Sequence, residues 1–412
     1  MVFSLRGESV QGNGRYRYRW AILFAAFVAG MAGPITLFAM PPLFPALTTF
    51  LGISLSDIGF AAMTSFGLGI SVMAIPFAIL SPRLGWKTAG IACLGTMTLG
   101  ALTTTGFPTF WGIFAGRFIA GLGFGMAFTW PVGALSVWFR RDEMGLATGI
   151  WSTTLPVSGL LIFVLAPVLI ASFGWISVLW FSLLFAIASL AIWAFLAKQP
   201  ADDGTRPGGY YAEERSVCLS HDCIGSAFFD RGMWLVAVAW FALNYYLLGI
   251  TSLAPAYFTT VLGFSLPAAS ALAILPVSMI IWVAPVTGRV SDRSGTRRTF
   301  ILASMAAGLL LCPAVFFLGP GLLPWALFFA VLGIVWGMAP ATVFASPREI
   351  VGPEHAGPAS GILNLMVGLA ALSAPLITGS LVPVIGWQGA LASTALPSVA
   401  GVVAMVRAKR LK

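Results

Sequence analysis

The chain has 412 residues, of which 59% are hydrophobic and 8% charged, and its mean hydropathy is +0.95. Soluble globular chains carry about 25% charged residues, so this composition excludes a soluble enzyme, a disordered scaffold and a secreted disulfide module. A net charge of +9 and an isoelectric point near 9.8 would point to nucleic acid in a soluble chain, but in a membrane protein they follow from basic residues gathered on one side of the bilayer.

Crossing the hydrocarbon takes about 20 apolar residues. The basic clusters divide the sequence into six stretches, each long enough for a helical hairpin. Residues 1–19 form a tail. Trp20–Pro82 follows with one charge, Asp57, and Pro41–Pro42 is expected to end or kink its first span. Gly33–Pro34 and Thr36 in that span mark a flexible stretch of cavity wall. Thr88–Phe139 holds one charge, Arg117, and turns at Gly106–Pro108. Met144–Ala197 holds none and turns at Phe173–Gly174. Residues 198–231 form a charged linker rich in Gly and Pro. Gly232–Gly288, Thr299–Pro347 and Ala356–Val406 are again uncharged, with turns at Gly263–Pro267, Gly319–Gly321 and Pro383–Gly386. Residues 407–412 form a second tail. The expectation is an all-α integral membrane protein of twelve transmembrane helices, six in residues 20–197 and six in residues 232–406.

Of the 22 Lys and Arg, 21 lie in the tails and in the loops on their side, and none lies in the loops opposite. That bias predicts a cell inner-membrane protein with both termini and the linker in the cytoplasm. The first apolar stretch, from Trp20 to about Leu47, is too long for a signal-peptide core and shows no small-residue cleavage site, so no cleaved leader is expected.

The two sets of six spans resemble each other at a nearly constant offset. LGISLSD at Leu51–Asp57 matches LGFSLPA at Leu262–Ala268, and SPRLGWK at Ser81–Lys87 matches SDRSGTR at Ser291–Arg297. GMAF from Gly125 matches GMAP from Gly337, and DEMGLATGI from Asp142 matches EHAGPASGI from Glu354. Two parallel six-span repeats form a known transporter architecture, with the solute site near the midplane between them.

At this point the chain resembles the major facilitator superfamily. GRVSDRSGTRR, Gly288–Arg298, is similar to that family's basic loop motif, with Thr296 in place of one basic residue. The first-half loop keeps Arg83, Gly85 and Lys87 but has Pro82 where the acid belongs. The resemblance implies a gating role, latching the cytoplasmic side, for Arg83, Lys87, Asp292, Arg293 and Arg297. RFIAGLG, Arg117–Gly123, resembles the family's motif in span 4. In span 5, Leu155–Leu160 retains only Pro156 and Gly159 of the antiporter motif, which weakens a proton-driven drug-export reading.

The polar residues inside the spans are few. All 13 Asp and Glu fall in tails or loops or, for Asp57, at a helix start, where Ser54 precedes it and a capping role is expected. Arg117 is the one charge within a span. Its guanidinium is suited to an oxyanion, and the competing reading is a tether to backbone carbonyls. Asn244 and Asn364 either join helices or bind ligand. With Tyr245, Trp151 and Trp336 they complete the expected substrate-binding set, Trp151 and Trp336 having packing as their alternative. Gly121, Gly123 and Gly125 are expected to permit close helix contact. Cys218–Cys223, with His221, fits no zinc spacing, so neither metal nor cofactor is expected.

These features predict a secondary active or facilitative transporter that moves a small solute by alternating access, with a small organic or inorganic anion preferred. An exporter of drug-like or neutral solutes and a non-transporting sensor or scaffold stay open as alternatives. No phosphate loop, serine–histidine–acid set or zincin helix supports an enzyme. The expected partners are the lipid bilayer and a small, anionic solute, not nucleic acid, and the expected state is a monomer.

Overall fold

A computed structural model describes residues 10–127, 130–139, 143–198, 230–352 and 356–408; within these ranges the side chains of residues 10–17, 82, 132, 136, 137, 144, 145, 292, 348 and 356–358, Pro82, Asp292 and Arg348 among them, lie outside the description. Arg140 and Arg141, most of the 198–231 linker with its Cys218–Cys223 tract, and the ends of both tails also lie outside it.

Every described element is helical, and they assemble into twelve spans. Span 1 runs Val10–Phe38, continues through a 3-10 turn at Pro41–Leu43, and resumes at Phe44–Leu51. Pro41 and Pro42 have no N–H to continue the ladder, so they kink the span rather than end it. Span 2 begins at Leu55–Gly59, widens into a π turn at Phe60–Thr64, and continues as Ser65–Leu84. Its start is a reciprocal capping box: the Asp57 amide donates to Ser54 Oγ at 3.1 Å, and the Ser54 amide donates to Asp57 Oδ2 at 3.1 Å. The capping expected of Asp57 is therefore what its carboxylate does.

Span 3 is Trp86–Gly106, span 4 is Phe110–Met126 with Trp130–Trp138, span 5 is Met144–Ser152 with Thr154–Phe173, and span 6 is Ile176–Leu196. Span 7 is Arg231–Thr260 and span 8 is Leu266–Ser294. Span 9 is Arg297–Leu311 with a 3-10 end, Cys312–Phe317, and span 10 is Leu322–Gly337 with Pro340–Ile350. Spans 11 and 12 share the helical run Ala356–Ser393, broken at Gly386 with φ 75°, and span 12 finishes as Pro397–Arg407. The helix passes straight through Pro383, so Gly386 alone makes the turn expected over Pro383–Gly386; its positive φ is open to a residue without Cβ.

Nine stretches among the described residues are long and apolar enough to cross a membrane, and one of them, Ala359–Arg407, holds two spans. Spans 3 and 4 supply the remaining crossings. Leu99, Leu102, Trp180, Leu184, Phe195, Leu310 and Phe317 stand exposed on spans 3, 6 and 9, an apolar belt of the kind suited to hydrocarbon rather than water. By contrast, span 7 is buried continuously from Ala242 to Phe258.

The packing repeats with the sequence. In the first half span 1 packs on 5 and 6, span 4 on 2 and 3, and span 3 on 6. Adding six to each number gives the pairs of the second half: 7 with 11 and 12, 10 with 8 and 9, and 9 with 12. The halves meet through spans 2 and 11 and through spans 5 and 8, two seams that the same operation exchanges. A pseudo-two-fold axis along the membrane normal follows. Pro41–Leu43 of span 1 also packs on span 7, on the face opposite the basic one.

The span 2–11 seam is built from small residues. A Cβ added at Gly67 would collide with the main chain of Leu372, Gly368 and Ala371, and Gly368 meets Ser71 in the same way. Thr64 Oγ1 donates to Leu372 O across the seam at 2.8 Å. At the other seam, a Cβ on Gly159 would stand 2.6 Å from Ile274 of span 8. Its neighbour Ser158 donates to Thr154 O at 2.6 Å and to Met31 O of span 1 at 3.4 Å. The reduced antiporter motif thus lies where spans 1, 5 and 8 converge.

Candidate functional site

Two irregularities in adjacent helices prepare the surroundings of Arg117. The helical part of span 1 ends at Phe38, so Thr36 O belongs to its last turn, where carbonyls lack intrahelical donors. A π turn likewise sets carbonyls of span 2 outside the usual i→i+4 ladder, and Ala61 O there accepts from Ser65 Oγ at 2.6 Å. Span 4 approaches both because it carries glycines. A Cβ on Gly121 would strike Phe66 O of span 2, one on Gly125 would stand 2.8 Å from Ile70 O, and one on Gly123 would meet Met97 and Cys93 of span 3. The expected close contacts are therefore present on two sides of span 4.

Arg117 fills the resulting niche and is 1% exposed. Its Nε donates to Ala62 O at 2.8 Å and its Nη1 to Thr36 O at 2.6 Å. The guanidinium carbon lies 4.2 Å from the centroid of the Phe66 ring, close enough for a cation–π contact. The tether to backbone carbonyls is thus realised through two nitrogens. The third, Nη2, has no hydrogen-bond partner among the described residues. Arg117 also borders a small cavity of about 10 Å³, shared with Thr36, Met40, Thr104, Thr105 and Ser182 of spans 1, 3 and 6. That cavity lies within the first half, and about one water molecule would fill it.

The second half has no counterpart to this charge. The repeat position, Phe329, sits in an aromatic cluster: its ring is 5.6 Å from Phe258, 6.2 Å from Trp325 and 5.7 Å from Phe328. One half holds a cation against a ring, the other holds rings against rings.

The other candidates fall into separate neighbourhoods. Asn244 donates from Nδ2 to Trp240 O at 2.8 Å, and Trp336 Nε1 donates to Leu243 O at 3.1 Å. Trp240 lies 5.9 Å from the Trp336 ring and edge-on to Phe344 at 5.3 Å, so spans 7 and 10 present an aromatic wall. Tyr245 is buried beside Phe241. Trp151 packs on span 1, where a Cβ on Gly30 would stand 2.8 Å from its Nε1. Asn364 is 1% exposed in span 11, between the seam residues Gly361 and Gly368 in sequence, and neither amide atom has a partner among the described residues. A buried amide without partners calls for a ligand or water.

At the basic face, Arg83 and Arg293 are exposed in the last turns of spans 2 and 8, and Lys87 is half-buried. The described bonds of the basic loop stay within the second half. Arg297 Nε pairs with Glu349 Oε1 of span 10 at 2.7 Å, and Arg298 donates to Met405 O at 2.7 Å and Val406 O at 2.6 Å of span 12. Asp292 belongs to the span 8 helix, but its side chain lies outside the described residues. In the first half, Arg19 pairs with Glu143 at 2.5 Å, joining spans 1 and 5.

Sequence reasoning did not single out Phe66, Ala62, Trp240 or Ser182. The carbonyl of Ala62 has no side-chain signature at all, and Ser182 is one serine among many. Only the Pro41–Pro42 kink signalled free carbonyls nearby.

Comparison with known proteins bears on this arrangement. The family model described as Major Facilitator Superfamily matches residues 22–372 and, again, 283–411. The probable sulfoacetate transporter of Cupriavidus necator is 24% identical over 358 residues, covering 77% of this chain and 79% of that protein. The nitrite extrusion protein of Bacillus subtilis is 24% identical over 398 residues, covering 93% of each. Among solved structures, a bacterial homologue of the human lysosomal transporter Spinster, inward-facing and unoccupied, superposes with a TM-score of 0.76 at 14% identity, covering 96% of this chain and 98% of that one.

Proposed function

The chain belongs to the Major Facilitator Superfamily and is a multi-pass membrane transporter, and from that premise we propose that its solute is a small organic or inorganic anion carried by alternating access. Charge balance carries the reading. Among the described residues, Arg117 is the only charged side chain deep in a span, and no carboxylate stands there to offset it. A low-dielectric interior with one uncompensated cation favours a negative solute over a neutral or positive one. Relatives named for sulfoacetate and nitrite support the same class.

In this reading Arg117 supplies potential more than direct contact, because its fork is already held by Thr36 O and Ala62 O. Direct contacts then belong to side chains near the junction of the halves, of which Asn364, with neither amide atom bonded among the described residues, is the first candidate. Asn244, Tyr245 and Trp336 stand on spans 7 and 10 of the second half, and Trp151 stands against span 1 in the first, as the further candidates. Residues 20–197 and 232–406 rock as the two halves, with the basic face in the cytoplasm and Arg83, Lys87, Asp292, Arg293 and Arg297 gating that side.

The test is uptake into proteoliposomes of a sulfonated carboxylate, nitrite, a neutral sugar and a cationic dye. Saturable uptake of one or both anions, each competing with the other or with further small anions, is the expected result. Uptake confined to the sugar or the dye overturns the assignment.

A further inference from the structure

Span 8 has one side that no neighbouring span covers, and that side ends in two arginines. A Cβ on Gly333 would meet Pro276 and Met279, and one on Gly337 would meet Ile280 and Val283, so those residues are turned to span 10. Ile274 is turned to span 5 at Gly159. On the remaining side Trp282 is 71% exposed, Val286 58% and Val290 47%, and Arg289 and Arg293 are exposed in the same stripe. Positions 282, 286, 289, 290 and 293 follow one line along a helix of 3.6 residues per turn. Three large apolar side chains on that line suit acyl chains rather than water. The arginines stand where Leu266–Ser294 reaches the basic face.

Nothing among the described residues answers the two charges. Arg289 and Arg293 are one turn apart, about 5–6 Å between Cβ atoms, and like charges at that spacing destabilise a helix. Neither makes an ion pair among the described residues, and Glu349 is taken by Arg297. The apolar stripe recurs in the first half as the exposed residues Val72, Pro76 and Leu80, with Arg83 matching Arg293. Arg289 has no such match, because its repeat position is Ile79. The second half thus adds a second cation to a stripe that both halves share. Paired guanidinium forks suit phosphate oxygens, and a basic site at the membrane surface attracts anionic lipid. A phosphate dissolved in water would make no use of Trp282, Val286 and Val290.

We propose that Arg289 and Arg293 clamp the phosphate of one anionic phospholipid in the leaflet at the basic face, its acyl chains lying along Val290, Val286 and Trp282. The site is on the side of span 8 away from spans 5 and 10 and is separate from the solute site. It leaves the charge of Arg117 uncompensated.

The experiment measures thermal unfolding of the purified, delipidated protein in a neutral detergent at constant ionic strength. Phosphatidylglycerol, phosphatidylcholine and inorganic phosphate are titrated separately. The expected result is a midpoint that rises and saturates with phosphatidylglycerol alone. Arg289→Ile, which installs the residue of the span 2 repeat position, should raise the half-saturating phosphatidylglycerol concentration several-fold, and Arg293→Gln should do the same. Arg407→Gln, which removes an exposed arginine at the end of span 12, should leave that concentration unchanged. Should Arg293→Gln fail to fold, Arg289→Ile and Arg407→Gln decide alone. Equal responses to the two lipids overturn the proposal, as does the same saturating rise with inorganic phosphate. A phosphatidylglycerol response unchanged in Arg289→Ile, or weakened as much by Arg407→Gln, reduces the effect to diffuse attraction and overturns it equally. Failure to carry any anion in proteoliposomes sinks the transport reading without touching this one.

Discussion

Arg117 is held by the backbone of two neighbouring helices. Its planar fork reaches two carbonyls on two helices at once, Thr36 O at 2.6 Å and Ala62 O at 2.8 Å. An ammonium is a compact point charge that cannot reproduce this spread. Arg117→Lys is therefore expected to leave one buried carbonyl unserved and to destabilise the fold by about 1–3 kcal/mol. Because the positive charge remains, the preference for anions over neutral solutes proposed above should persist. Thermal unfolding and a two-solute uptake ratio measure the two halves of that statement. An unchanged midpoint would show that the fork is not needed. The sequence placed Arg117 correctly as the lone charge in a span, since its cost in hydrocarbon makes it conspicuous. Its partners stayed hidden, because a backbone carbonyl looks the same under every residue type.

At the scale of elements, the spans are interrupted where they do most. Pro41–Pro42 announces the kink of span 1 in the sequence, because proline removes a donor wherever it stands. The π turn at Phe60–Thr64 has no comparable marker, its five residues being ordinary helix formers or small polar ones. The seam between spans 2 and 11 was similarly unreadable: Gly67 and Gly368 are two among 46 glycines, and only the fold shows which of them face another backbone. Gly67→Ala puts a methyl against the main chain of span 11 and should cost about 1–3 kcal/mol by overpacking, with a matching fall in transport. Gly95→Ala is the control, since a Cβ there meets nothing within 4 Å and should be neutral or slightly stabilising. Thermal midpoints of the two variants, measured side by side, check the contrast; equal shifts would deny the seam any special tightness.

For the whole molecule, the twelve spans, the two-fold repeat and the hairpin turns were readable because lipid excludes charge from spans and because paired glycine and proline near the middle of each uncharged stretch mark a turn. The substrate-binding set was readable only as a list of polar and aromatic exceptions. The structure sorts that list into a tethered arginine, an aromatic wall on spans 7 and 10, and an amide at Asn364 without a partner among the described residues, an assortment that depends on which helices touch. The orientation proposed from the basic residues predicts that single cysteines introduced at Pro108 and Gly321 react with a membrane-impermeant maleimide added outside intact cells. Protection of both would invert the assignment. The two seams have a last consequence. Spans 2 with 11 and 5 with 8 join the halves by close helix contact and by the Thr64–Leu372 bond, all of it formed outside residues 198–231. Two separately encoded polypeptides, divided within residues 198–231, should then find each other in the bilayer and restore uptake that neither gives alone.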